Sequence, residues 1–139
     1  MRAADAPWVA ALCGQLGYPS TEDEVLVRFR QCSTACEPGM FVAEDPSRRV
    51  VGWIYVIERF LLQAEPAAEI CGLVVDAPMR RKGIARLLVL EAERWARAHG
   101  LAEITVRTNV ERPESPSFYR SIGFDLTKTS HKFRKRVPT

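Results

Sequence analysis

Glu69-Ile70-Cys71-Gly72-Leu73-Val74-Val75-Asp76, continuing through Ala77-Pro78-Met79 into Arg80-Arg81-Lys82-Gly83-Ile84-Ala85, is the stretch on which the fold turns. Its first half is an apolar, β-branched run of strand length, and Pro78, which cannot donate to a ladder, stops it. Its second half sets two arginines, a lysine and a glycine before a segment whose Ile84, Leu87, Leu88, Ala92 and Trp95 recur at helical spacing. The reading is strand, basic loop, helix start. Unpaired amides and the positive end of the helix dipole meet there, so the loop suits a phosphate or pyrophosphate. Gly83 lets the backbone approach such an anion closely.

Around this stretch, 139 residues make one domain spanning 1–139, and a net charge of +3 does not call for nucleic acid. Much of the basic character is local, at residues 80–82 and in the tail from Lys128 to Arg136, which reads as a solvated edge strand. Cys13, Cys32, Cys36 and Cys71 show no paired CxxC spacing and no histidine partners. Reduced thiols and no metal are expected. Without an apolar leader or a membrane-length apolar window, the expected location is the cytoplasm, with no membrane partner.

Asp5 and Pro7 open a first helix that Gly17 ends, and Thr21 with Glu24 forms a capping box for a second that frays near Cys32. Strands follow at residues 40–44 and 50–58 around the turn 45–49. An apolar connection at 60–66 leads to the strand at 69, either as a loop lining a pocket or dimer contact or as a strand running on through. The helix from Ile84 ends at His99-Gly100. A strand at 104–108, a loop at 112–116, a short helix at 117–122 and closing strands at 124–126 and 130–137 complete the chain. The order predicts an α/β (α+β) fold with a mixed, mostly antiparallel central sheet and helices on both faces, and a crevice where the helix from Ile84 crosses to a parallel neighbour.

Arg80-Arg81-Lys82-Gly83-Ile84-Ala85 resembles the R/Q-x-x-G-x-G/A loop of the GNAT superfamily of acetyl-CoA-dependent N-acetyltransferases. Leu73-Val74-Val75-Asp76 and Ser117-Phe118-Tyr119-Arg120-Ser121-Ile122-Gly123-Phe124 are similar to its other two landmarks. The family's usual first strand has little room, with four residues before Asp5. The resemblance implies acetyl-CoA as cosubstrate. It implies a binding strand at Leu73, Val74 and Val75, with the backbone of Leu73 and Val75 on the pantetheine arm, and a pyrophosphate loop at Arg80, Arg81, Lys82, Gly83, Ile84 and Ala85. Tyr119 matches the family tyrosine that hydrogen-bonds or protonates the departing sulfur; read by itself it is an aromatic core residue.

Glu69 sits where some members place a base, acting directly or through water, and is otherwise a strand-end carboxylate. Alternation puts it on the same face as Cys71, Leu73 and Val75. Asn109 is either a pantetheine ligand or a turn residue. Cys71 reads as a small buried hydrophobe, His99 as a helix-end cap. The implied activity is N-acetylation of a primary amine, by default of a small molecule. A coenzyme A-binding sensor module and a protein or peptide N-acetyltransferase are the alternatives. Weak similarity extends to aminoalkylphosphonate N-acetyltransferases, which carry Ala-His where this chain has Ser115-Pro116. A homodimer is expected through the edge at 130–137.

Overall fold

Side chains alternate along residues 52–59, and that alternation decides how the layers stack. The computed structural model describes residues 1–139. It contains β1 (Gly39–Glu44), β2 (Val50–Leu61), β3 (Ala64–Val75) and β4 (Ile104–Val106), with α1 (Ala6–Leu16) and α2 (Glu22–Ala35) before the sheet, α3 (Ile84–Ala98) between β3 and β4, and α4 (Glu114–Ser121) after it. The strands form one mixed sheet in the order β1-β2-β3-β4, antiparallel except for the parallel pair β3 and β4. Two compact units divide the chain, Met1–Arg107 and Thr108–Thr139.

In the first unit, Gly52, Ile54 and Val56 of β2 face α3. A Cβ built on Gly52 would lie 3.3 Å from Leu88, and one on Gly39, the partner of Val56, would lie 3.1 Å from Trp95. The intervening residues face the other way, where Trp53 and Val42 pack against Ala6, Val9 and Ala10 of α1 and Val25 of α2. Helices therefore cover both faces of the sheet. Ile54, Val50, Val51, Val56 and Val89 form the fully buried centre. The capping box of α2 is formed in both directions, Glu24 N donating to Thr21 Oγ1 at 3.2 Å and Thr21 N to Glu24 at 2.9 Å. At α1 the carboxylate of Asp5 does not cap its own helix; it accepts Arg2 N at 2.7 Å.

Several boundaries differ from those read in the sequence. α2 continues past Cys32 to Ala35, whereas the connection at 60–66 takes one of its two expected forms, β2 and β3 running on through it into a hairpin. α4 begins at Glu114, because Pro113 at the N-cap and Pro116 in the first turn need no intrahelical donor. The closing strands expected at 124–126 and 130–137 are not formed. Leu126, Phe133 and Val137 are exposed, and alternation without a face to bury does not hold a strand. That removes the edge on which a dimer was expected. No strand precedes α1.

The register of β2 against β3 carries one irregularity that matters to function. Tyr55 pairs with Gly72 and Val56 with Ile70, so Cys71 is an extra residue in β3, a β-bulge. Gly72 makes room there for Trp53: a Cβ would sit 2.6 Å from the indole. Gly72→Ala is expected to destabilise the protein by about 1–3 kcal/mol through overpacking. Gly14→Ala, on α1 where a Cβ meets nothing within 4 Å, should stabilise by up to about 1 kcal/mol through helix propensity. Urea unfolding of the two variants measures both.

Candidate functional site

β3 loses its neighbour halfway. β4 pairs only with residues 68–70, so beyond the bulge the outer edge of β3 has no strand partner. Asp76 N donates to Val51 O at 2.8 Å, toward β2. Alternation then turns the backbone groups of Leu73 and Val75 to the open edge, while Val74 turns its side chain into the cluster with Leu12 and Val50. An extended ligand bearing amides could continue the ladder there, as a strand would.

The loop after this edge is held from two sides. Arg80 Nε donates to Val75 O at 3.0 Å, folding the first loop arginine back on the strand. The carboxylate of Asp76 is buried and doubly engaged: Gln15 Nε2 of α1 donates at 2.7 Å and Arg49 Nη2 of the β1–β2 turn at 2.8 Å, while Gln15 Oε1 accepts Ala77 N at 3.0 Å. This latch was not legible beforehand, since nothing along the chain ties Gln15 to Asp76. It anchors the 3₁₀ turn Ala77–Met79 that launches the loop.

Arg81 adopts φ 63° and Gly83 φ 81°, both left-handed. Gly83 caps α3, and the first intrahelical bond is Leu87 N to Gly83 O at 3.1 Å, so the amides of Gly83, Ile84, Ala85 and Arg86 precede the helix's own acceptors. Arg81 and Lys82 are exposed beside them, Lys82 touching only Met79 Sδ at 3.9 Å. Free amides, the helix dipole and two cations stand where they could hold an anion such as a pyrophosphate.

Glu69 does not share a face with Leu73 and Val75. It pairs with Ile57, on the face of Trp53 and Tyr55, because the extra residue Cys71 shifts the alternation by one. Only 17% of its side chain is exposed, and Arg107 Nε stands 3.4 Å from Oε1. Cys71 is exposed at the bulge, its Sγ 3.7 Å from Glu69 O. Partial burial pushes its thiol up, followed by the Glu69 carboxylate and the thiols of Cys32 and Cys36, which argues against a reactive nucleophile. The Tyr55 phenol is also pushed up, by burial and then by its hydrogen bond with Cys32. Arg59, two residues beyond Ile57 on the same face, has a buried Nε with no hydrogen-bond partner.

In the second unit, Tyr119 lies on α4 between Phe118 and Phe124, ring centroids 5.0 and 5.4 Å away in edge contacts. Burial pushes its phenol up to about 12. Asn109 is a turn residue: Oδ1 accepts Glu111 N at 3.0 Å, leaving Nδ2 as its donor. His99 caps α3, its Nδ1 2.8 Å from Trp95 O. No group of three or more His, Cys, Asp or Glu side chains is arranged to hold a metal ion, and no helix is long and apolar enough to cross a membrane.

The sequence profile described as the Acetyltransferase (GNAT) family matches residues 7–124. Aminoglycoside N(6')-acetyltransferase type 1 of Acinetobacter baumannii is 26% identical over 134 residues, covering 94% of this chain and 90% of that protein. The crystal structure of aminoglycoside antibiotic 6'-N-acetyltransferase AAC(6')-Ih from Acinetobacter baumannii superposes with a TM-score of 0.83 at 24% identity, over 99% of this chain and 96% of that one. AAC(6')-Iy in complex with CoA gives a TM-score of 0.85 at 21% identity, over 99% and 92%.

Proposed function

Since the chain belongs to the GNAT acetyltransferase family, we propose that this N-acetyltransferase transfers the acetyl group of acetyl-CoA to the primary amine of a small molecule, with residues 1–139 acting as one catalytic domain. The observation that carries the reading is the open edge of β3 running directly into the amides of residues 83–86. An extended pantetheine arm fits the edge, and a pyrophosphate fits the helix start.

When bound, acetyl-CoA supplies a thioester carbonyl carbon for the amine and a thiolate that leaves. Leu73 and Val75 hold the pantetheine amides through their backbone, with Val74 fixing the strand between them from the buried side. The amides of Arg81, Lys82, Gly83, Ile84 and Ala85 hold the pyrophosphate, with Arg80 bracing the loop. A backbone N–H near Val75 is the proposed donor to the developing oxyanion. Glu69, directly or through water, takes the proton from the substrate ammonium and so frees the attacking lone pair; Arg107 beside it holds the carboxylate in place. Tyr119 gives its proton to the leaving sulfur. With its phenol held up to about 12 by burial, Tyr119 is protonated at neutral pH and has a proton or hydrogen bond to offer the sulfur. Asn109 contributes Nδ2 as a further pantetheine donor.

The four free cysteines fit a cytoplasmic setting, and a second copy of the chain is the proposed protein partner, through a surface other than residues 130–137, which form no strand. A thiol-release assay over amines of graded charge and size, with coenzyme A binding followed by calorimetry, tests the reading. Turnover of small amines is the expected result. Tight coenzyme A binding without turnover would mark a sensor module, and turnover of peptides alone a peptide acetyltransferase; either would overturn it.

A further inference from the structure

Arg59 has no counterpart in the chemistry described so far, and the fold does not explain it. It sits on β2 opposite Ala67, which offers no charge, and its Nε is buried without a partner. An N–H shut away from water with no acceptor costs stability, so this Nε is a donor in want of a partner. Its surroundings on the sheet are well defined. Ile57 pairs with Glu69 and Arg59 with Ala67, so Glu69 is the diagonal cross-strand neighbour of Arg59. Such positions lie roughly 7–8 Å apart. On the other side Thr105 pairs with Glu69, and Arg107 two residues on reaches the Glu69 carboxylate at 3.4 Å. The face thus carries two guanidinium groups around one carboxylate, and the carboxylate is already engaged by Arg107.

We infer that Arg59 is a specificity residue that binds an anionic group of the acceptor, so that the substrates are short amines carrying a carboxylate or phosphate. The inference rests on Glu69 marking where the amine arrives. With the ammonium at Glu69, an anion a few bonds away along the same molecule reaches Arg59 and supplies its missing partner through a charge-assisted pair. A polycationic aminoglycoside, the substrate class in the names of the relatives above, would bring further ammonium groups against Arg59 and Arg107. The acceptor class therefore departs from theirs.

The test compares wild type with Arg59→Met and Arg59→Gln. Acetyl transfer is measured to β-alanine and O-phosphoethanolamine, to propylamine, and to neamine. Wild type should favour the two anionic amines, and in both variants the ratio of kcat/KM for anionic over neutral amine should fall about 10- to 100-fold, the span of a lost charge-assisted hydrogen bond. Independently of turnover, phosphate and glutarate should raise the melting temperature of wild type more than that of Arg59→Met, the amides at the start of α3 being common to both. Arg59→Met without ligand should melt at or above wild type, since it removes a buried donor that has no acceptor. A wild-type preference for neamine or propylamine, an unchanged ratio in the variants, or equal anion stabilisation of Arg59→Met would each overturn the inference. Failure of the acetyltransferase reading has a separate signature, no coenzyme A binding and no turnover of any amine, and the melting measurements still decide Arg59 in that case.

Discussion

Tyr119→Phe is expected to lower kcat about 10- to 100-fold, the contribution of a positioned general acid, while coenzyme A affinity is unchanged. The ring is held by edge contacts to Phe118 and Phe124 that do not involve the hydroxyl, so the variant keeps its packing and loses one proton donor. The pH dependence follows from the direction of the shift. Burial raises the phenol from 10.0 to about 12, so the acid form persists far above neutrality and no alkaline loss of kcat below about 10 belongs to Tyr119. For stability the sign is that of a raised group: it is whole below the unfolded value of 10.0 and lost as the pH climbs through about 12. Tyr119→Phe should therefore flatten the alkaline fall of the melting temperature. Steady-state kinetics from neutral pH upward, with calorimetric coenzyme A titration, separates these effects. Unchanged kcat would remove Tyr119 from the chemistry.

Gly83→Val is expected to weaken coenzyme A binding about 100-fold, as the combined result of left-handed strain at roughly 1–2 kcal/mol and a branched side chain over the amides that would hold the pyrophosphate. Gly83 has φ 81° and an added Cβ meets nothing within 4 Å, so no other part of the protein is disturbed. Gly100→Val is the matched control. It carries the same kind of strain at φ 71°, also with open space around it, at the far end of α3. Both variants should lose similar stability, and only Gly83→Val should lose coenzyme A. Equal affinity in the two would remove the anion site from the start of α3.

Most of the donor side was legible in the residues. Pro78, the basic triplet and Gly83 announce strand, loop and helix start because each acts locally, through a missing donor, a charge or a permitted φ. The Thr21 and Glu24 box was legible for the same reason. What escaped depends on pairing. Cys71 has no local signature of a bulge; Gly72 inside an apolar run was the available hint. Without the bulge, simple alternation puts Glu69 on the wrong face. Nothing along the chain singles out Arg59, and only the register against β3 shows it beside Glu69 with its Nε buried. At 130–137 the error ran the other way, since alternation suggested a strand where the chain offers no face for Phe133 and Val137 to cover. The latch among Gln15, Asp76 and Arg49 joins residues far apart in the chain, where no periodicity reaches.

The bulge at Cys71 also bears on how such a protein can change over generations. Under the proposed reading, the coenzyme is held by main-chain groups at the edge of β3, and the acceptor is met by side chains on a face that the inserted residue has turned independently of that edge. Mutation rewrites side chains freely and main-chain amides hardly at all. Arg59, Glu69 and Arg107 could be exchanged to suit a new amine while the donor grip stays as it is. One extra residue in a strand thus separates a heritable constant from a heritable variable, leaving a lineage free to acquire new acceptors without relearning how to hold the old donor.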